Sequence, residues 1–264
     1  MIIRKRTIFL CLLLMILVAA GFIALRSREV RPVVDMYDLT TAAVQNIQMP
    51  VFYVNTDRKA VALTFDISWG EEMPHKVLDV LKEHNQKATF FLSGPWAKRY
   101  KDIVQRIVDE GHEIASHGQE HENLSQLSKE EIRKNIQSAH DILVNVSGTS
   151  PTYFRPPNGD YNDLVVLTAR ELGYETIIWS VDSRDWQRPG ASYIVERVSR
   201  YTFRGAILLF HASDSAPDTP DALPMVLANL KSAGYEIMTL GELMSLGTPA
   251  RDDPRGRPES ELPR

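Results

Sequence analysis

The ten residues VALTFDISWG, at positions 61–70, decide how the rest of this chain reads. Val61, Ala62, Leu63, Thr64 and Phe65 form a β-prone apolar run that breaks at Asp66 into Ile67, Ser68, Trp69 and Gly70. A continuous apolar run ended by a turn signal reads as a strand covered on both faces. Asp66 then stands at the strand's C-terminal tip, where parallel α/β folds gather their chemistry. An aspartate in that place also serves as the N-cap of a following helix. The stretch alone leaves both readings open.

Outward from it, strand-like runs recur at 60–65, 88–92, 113–116, 152–154, 176–181, 206–210 and 236–239. Helix-like segments lie between them at 73–84, 96–110, 128–146, 164–172, 193–203 and 219–232. Ser128 with Glu131 predicts a capping box. Gly111, Gly173 and Gly234 sit where a helix should stop before the next strand. Such alternation implies right-handed βαβ units and a largely parallel α/β sheet. Periodicity is compatible with an open doubly wound sheet and with a barrel.

At 264 residues, 44% hydrophobic and 24% charged, the chain has the composition of a globular protein with room for one large domain. A net charge of −4, with no basic stripe interleaved with aromatics, gives no case for nucleic acid. The N-terminus differs: Arg4, Lys5 and Arg6 precede an uncharged apolar run at 7–25. That run is long enough to span a bilayer as one helix, and the preceding charge favours a cytoplasmic N-terminus. Val18, Ala19 and Ala20 offer a signal-peptide cleavage site as the competing reading. Continuation of the run through Phe22, Ile23 and Leu25 favours an uncleaved anchor. The only cysteine, Cys11, lies inside it, so the exported part has no disulfide to rely on. The expected organisation is an anchor or signal segment at 1–26, a linker at 27–50, one domain at 51–247 and a disordered tail at 248–264, rich in Pro, Arg, Asp and Glu.

Placed on this layout, the polar residues gather at strand ends. Asp66 follows the first strand, His117 and His121 the third, Arg155 the fourth, Asp182 and Asp185 the fifth, and His211 the sixth. His117 and His121 have the spacing at which two imidazoles on one helical turn can hold a cation; two exposed histidines are the plain alternative. Asp185 could fix the tautomer of His211. Arg155 could keep a carboxylate such as Asp66 ionised. Trp186 and Leu209 would wall a small apolar group. An acid, a base, a cation site and a small greasy pocket point to metal-assisted hydrolysis of a neutral acyl compound.

The segments TFDISWG, HGQEH, RPPNG, DSRDW and LLFH, in this order, resemble the polysaccharide deacetylases (the NodB-homology, or carbohydrate esterase family 4, domain) over residues 51–246. The wording of TFDISWG, RPPNGDYN and LLFHASDSA is closest to the membrane-anchored sporulation deacetylases of the PdaB type. The resemblance implies a distorted (β/α) barrel of about seven parallel strands behind one N-terminal transmembrane helix. It implies a hydrolase that removes N-acetyl groups from sugars of peptidoglycan or a related cell-wall glycan. By position, Asp66 would be the general base, oriented by Arg155, and His211 the general acid, tuned by Asp185. His117 and His121 would bind a divalent metal: zinc, with cobalt or manganese as alternatives. The backbone N–H of Asn158 would help hold the oxyanion, and Trp186 with Leu209 would line the acetyl pocket. The implied location is the cell membrane, single-pass, with the domain outside the cytoplasm or in the forespore or spore envelope. Three positions depart from the family pattern: Ile67 replaces the third metal ligand, Gly118 a hydroxyl residue and Asn158 a tyrosine. Ile67 sustains the alternative of a saccharide-binding or structural protein of the same fold with little or no activity.

Overall fold

The structure is a computed structural model and describes residues 49–263. The expected membrane segment and nearly all of the expected linker lie outside the described residues. Among those described, no helix is long and apolar enough to cross a membrane.

In chain order the elements are β1 (Tyr53–Asn55), β2 (Ala60–Ile67), α1 (Glu72–Glu83), β3 (Thr89–Leu92), α2 (Gly94–Arg99), α3 (Lys101–Asp109), β4 (Glu113–Ser116) and α4 (Lys129–Ser147). There follow β5 (Tyr153–Phe154), α5 (Asp163–Glu171), β6 (Glu175–Thr176), β7 (Val181–Asp182), α6 (Ala191–Tyr201) and β8 (Ile207–His211). The chain closes with α7 (Thr219–Ser232), β9 (Glu236–Met238), α8 (Leu240–Met244) and β10 (Thr248–Ala250).

β2 is the spine of the sheet. All of its residues are buried, and it pairs in parallel with both β3 and β8. Side chains alternate across a strand. Val61, Leu63, Phe65 and Ile67 accordingly join the main apolar cluster, with Val77, Leu78 and Leu81 of α1 and Leu223, Val226 and Leu227 of α7. Ala60 and Ala62 belong to a second cluster, with Phe91, Ala115, Ile177 and Ile207. Thr64 and Asp66 continue that second row. The same alternation that carries Asp66 inward therefore sends Ile67 under the helices.

The parallel series runs β6-β5-β4-β3-β2-β8-β7, with β9 against the start of β2. β6 and β7 stand at opposite ends of the series, yet only residues 177–180 separate them in the chain. One extended segment thus pairs with β5 at its start and with β8 at its end, which curls the sheet into a half-barrel. The single strand expected over 176–181 is two short ones for this reason.

Ser128 and Glu131 form the capping box at the head of α4. The helix expected over 96–110 is broken at Tyr100, whose φ and ψ of −113° and 56° leave the helical region. The tail expected to be disordered from 248 is not: β10 pairs antiparallel with β1. Arg251 makes a two-pronged salt bridge to Glu175 at 3.0 Å per arm, and Arg255 lies over the rings of Phe52 and Trp179. Composition gave no hint of this, because the tail's partners are charged or aromatic groups distant in sequence.

Candidate active site

Five strand ends meet at one edge of the sheet. Asp66 and His211 are register partners on β2 and β8. His117 and Arg155 extend the ladder by one residue past β4 and β5, with His117 N donating to Leu92 O at 2.9 Å and Arg155 N to Ser116 O at 2.9 Å. Asp185 follows β7 in a short 3₁₀ turn.

Arg155 is completely buried. Its guanidinium donates to Asp66 Oδ1 at 2.6 Å, to Thr64 Oγ1 at 3.0 Å and to Ile178 O at 3.1 Å, and it lies 3.9 Å from the centre of the Phe91 ring. Burial alone would raise the Asp66 carboxyl. The Arg155 charge, helped by His117 and His211, outweighs that and holds it below the usual carboxylate range. Asp66 is an anion at neutral pH.

His211 has the opposite surroundings. Asp185 is fully buried and accepts from His211 Nδ1 at 2.7 Å, His211 N at 2.7 Å, Trp186 N at 2.8 Å and Thr219 Oγ1 at 2.7 Å. A carboxylate can only accept, so Nδ1 carries a hydrogen and Nε2 is left for the pocket. Burial would lower His211, but the Asp185 charge and hydrogen bond raise it to about 9. His211 is a cation at neutral pH.

His117 and His121 do come together, with ring centres 5.4 Å apart, although not on a helical turn as the spacing suggested. Gly118 has φ of +78° and breaks any helix there; a Cβ on it would meet Asn135 Oδ1 at 2.7 Å. Asn135 of α4 holds the loop instead, accepting from Gln119 N at 2.7 Å and donating to Glu120 O at 3.3 Å. Burial lowers both histidines, His117 to about 4, so both rings are neutral near pH 7. His117 Nδ1 donates to Arg155 O at 2.9 Å, which turns the bare Nε2 toward Asp66 Oδ2, 3.7 Å away. Two neutral imidazoles, one with its tautomer fixed by a carbonyl, suit a divalent transition metal as two of its ligands. Ile67 adds none, being fully buried in the main apolar cluster. Among the described residues no group of three His, Cys, Asp or Glu side chains is arranged to hold a metal ion.

A cavity of about 420 Å³ opens between these groups, lined by Asp66, His117, His121, Asn158, Leu209 and His211 among others. Leu209 is nearly buried and Trp186 half exposed, both on its wall. Asn158 takes a left-handed backbone, with φ of 58°. The structure thus assembles every site residue expected from the sequence. It adds Trp69, Trp179 and Ser213 to the lining, where Asp182 from the same strand end as Asp185 also stands, and it places Thr219 behind Asp185. Trp69 was legible as part of the opening stretch. Thr219 was not, since its tie to Asp185 spans 34 residues with no pattern between them.

The family model for polysaccharide deacetylases matches residues 53–177, which bear Asp66, the histidine pair and Arg155. A peptidoglycan-N-acetylglucosamine deacetylase of Bacillus cereus is 37% identical over 186 residues, covering 70% of this chain and 68% of that protein. The chain belongs to the polysaccharide deacetylase family. An uncharacterized Bacillus subtilis protein, YlxY, is 33% identical over 195 residues, and there the match covers 74% of this chain and only 60% of the other. Among polysaccharide deacetylases of known structure, a carbohydrate esterase family 4 pseudoenzyme from Bacillus anthracis is 35% identical, with a TM-score of 0.70 over 74% of this chain and 68% of that one. A mutant of that pseudoenzyme has restored enzymatic activity.

Proposed function

We propose that this chain removes N-acetyl groups from sugars of peptidoglycan, as its Bacillus cereus relative is named for doing. One observation carries the reading: Asp66 and His211 are side by side, and Arg155 and Asp185 fix them in opposite charge states. A general base must arrive unprotonated and a general acid protonated. Asp66 Oδ2 takes the proton of the attacking water. His211 Nε2 returns a proton to the departing amine nitrogen. Trp186 and Leu209, both on the cavity wall, would enclose the acetyl methyl, and the backbone N–H of Asn158, on the same lining, would help hold the developing oxyanion. His117 and His121 would hold a divalent cation, zinc with cobalt or manganese as alternatives. When bound, such a cation supplies Lewis-acid polarisation of a carbonyl oxygen.

The apolar run at 7–25 and the charge before it support a single-pass anchor with the domain outside the cytoplasm. The PdaB-like wording of three motifs supports a role in sporulation. A second reading, a saccharide-binding protein without turnover, is favoured by Ile67 and by the pseudoenzyme among the relatives. Acetate release from N-acetylated peptidoglycan, with and without a chelator and with His211→Ala as the blank, separates the two. Release abolished by chelator and by the substitution supports the deacetylase. No release with any divalent metal from folded protein supports the binding protein.

A further inference from the structure

Trp69 belongs to the opening stretch but has no part in the chemistry just described. Its side chain is 52% exposed, an unusual place for the largest apolar side chain unless something covers it. The loop that carries it is not loose. Ser68 N donates to Ser213 Oγ at 3.1 Å, Asp214 N to Trp69 O at 3.2 Å, and Met73 N to Asp214 Oδ1 at 2.8 Å. Trp96 Nε1 donates to Gly70 O at 2.6 Å. None of these bonds involves the indole. The backbone is pinned around a side chain left outside.

The indole is also oriented. It lies against the His121 ring, with centres 4.6 Å apart at 58°, and forms part of the cavity lining with Trp186, itself 50% exposed. A preorganised, half-exposed aromatic lining the cavity offers a flat, electron-rich surface. The C–H faces of a pyranose ring are the apolar, weakly positive surface of an otherwise polar ligand, and they match it. The half-exposed position suits a neighbouring sugar rather than the one whose acetamido group enters the cavity.

We infer that Trp69 is a stacking platform for a sugar ring adjacent to the reacting one, and so sets a preference for oligomeric glycan. The inference rests on the proposed deacetylase reading for the reacting residue only; the platform can be tested by binding alone.

The test is a fluorescence titration of the full-length protein with the N-acetylglucosamine tetramer and monomer, beside Trp69→Ala, Trp69→Phe and the remote surface variant Met225→Ala. Loss of one stacked ring corresponds to roughly tenfold in affinity. Trp69→Ala should bind the tetramer about tenfold more weakly, with a much smaller loss for the monomer. Trp69→Phe should recover most of the affinity, and Met225→Ala should match wild type. With turnover of the tetramer, the loss should fall on KM rather than kcat. Equal loss for monomer and tetramer, a loss confined to kcat, or no binding by wild type would overturn the platform. Tetramer binding that depends on Trp69 without acetate release would leave the platform standing and remove the deacetylase.

Discussion

Asp66 and His211 are register partners on adjacent parallel strands, and each is held by a buried group of opposite charge. Arg155 lies 2.6 Å from Asp66, and Asp185 lies 2.7 Å from His211. Sheet geometry fixes the spacing of the two reacting groups, and the second layer fixes their charges.

The first consequence concerns stability. Arg155 and Asp66 form a buried pair, and removing one partner of such a pair strands the other. Arg155→Met should destabilise the fold by about 3–5 kcal/mol, read from urea denaturation. Adding Asp66→Asn to it should recover part of that loss, since no buried charge is then left unpaired. A double variant less stable than the single one would show that the arginine acts mainly through its packing on Phe91.

A pH dependence follows from His211. Its folded value of about 9 lies above the ordinary 6.5. A raised histidine adds stability that is complete below the ordinary value and lost as pH rises through the folded one. The stability gap between wild type and Asp185→Asn should therefore be widest near pH 6 and narrow between about 6.5 and 9. Denaturation midpoints across that range measure it. A gap that is constant with pH would mean that Asp185 serves only as a hydrogen-bond acceptor.

The tail gives a third expectation. Ending the chain at Gly247 removes β10, the Arg251–Glu175 bridge and the Arg255 contacts. With several such interactions lost, the melting temperature should fall by roughly 10 °C. An unchanged melting curve would restore the view of the tail as an appendage.

Much of this was legible in the sequence, for identifiable reasons. β2 announced itself because a strand covered on both faces must be apolar throughout, and the polar residues at strand ends were visible as interruptions of apolar runs. The chain's own curvature was not visible. Residues 176–181 read as one strand, because no local signal says that its two ends pair with different neighbours. The His117–His121 spacing fitted a helical turn, but Gly118 and Asn135 build a loop that brings the rings together by another path. The packed tail and Thr219 share one cause: their partners are remote in sequence, and single polar contacts leave no periodic trace.

The most direct measurement is the pH dependence of kcat/KM for acetate release by wild type and by Asp185→Asn. If His211 is the general acid, the wild-type profile should stay high until an alkaline limb near 9, and the variant's limb should move toward 6.5. The same alkaline limb in both proteins would contradict the assignment of His211, and with it the acid–base pair on which the proposed function stands.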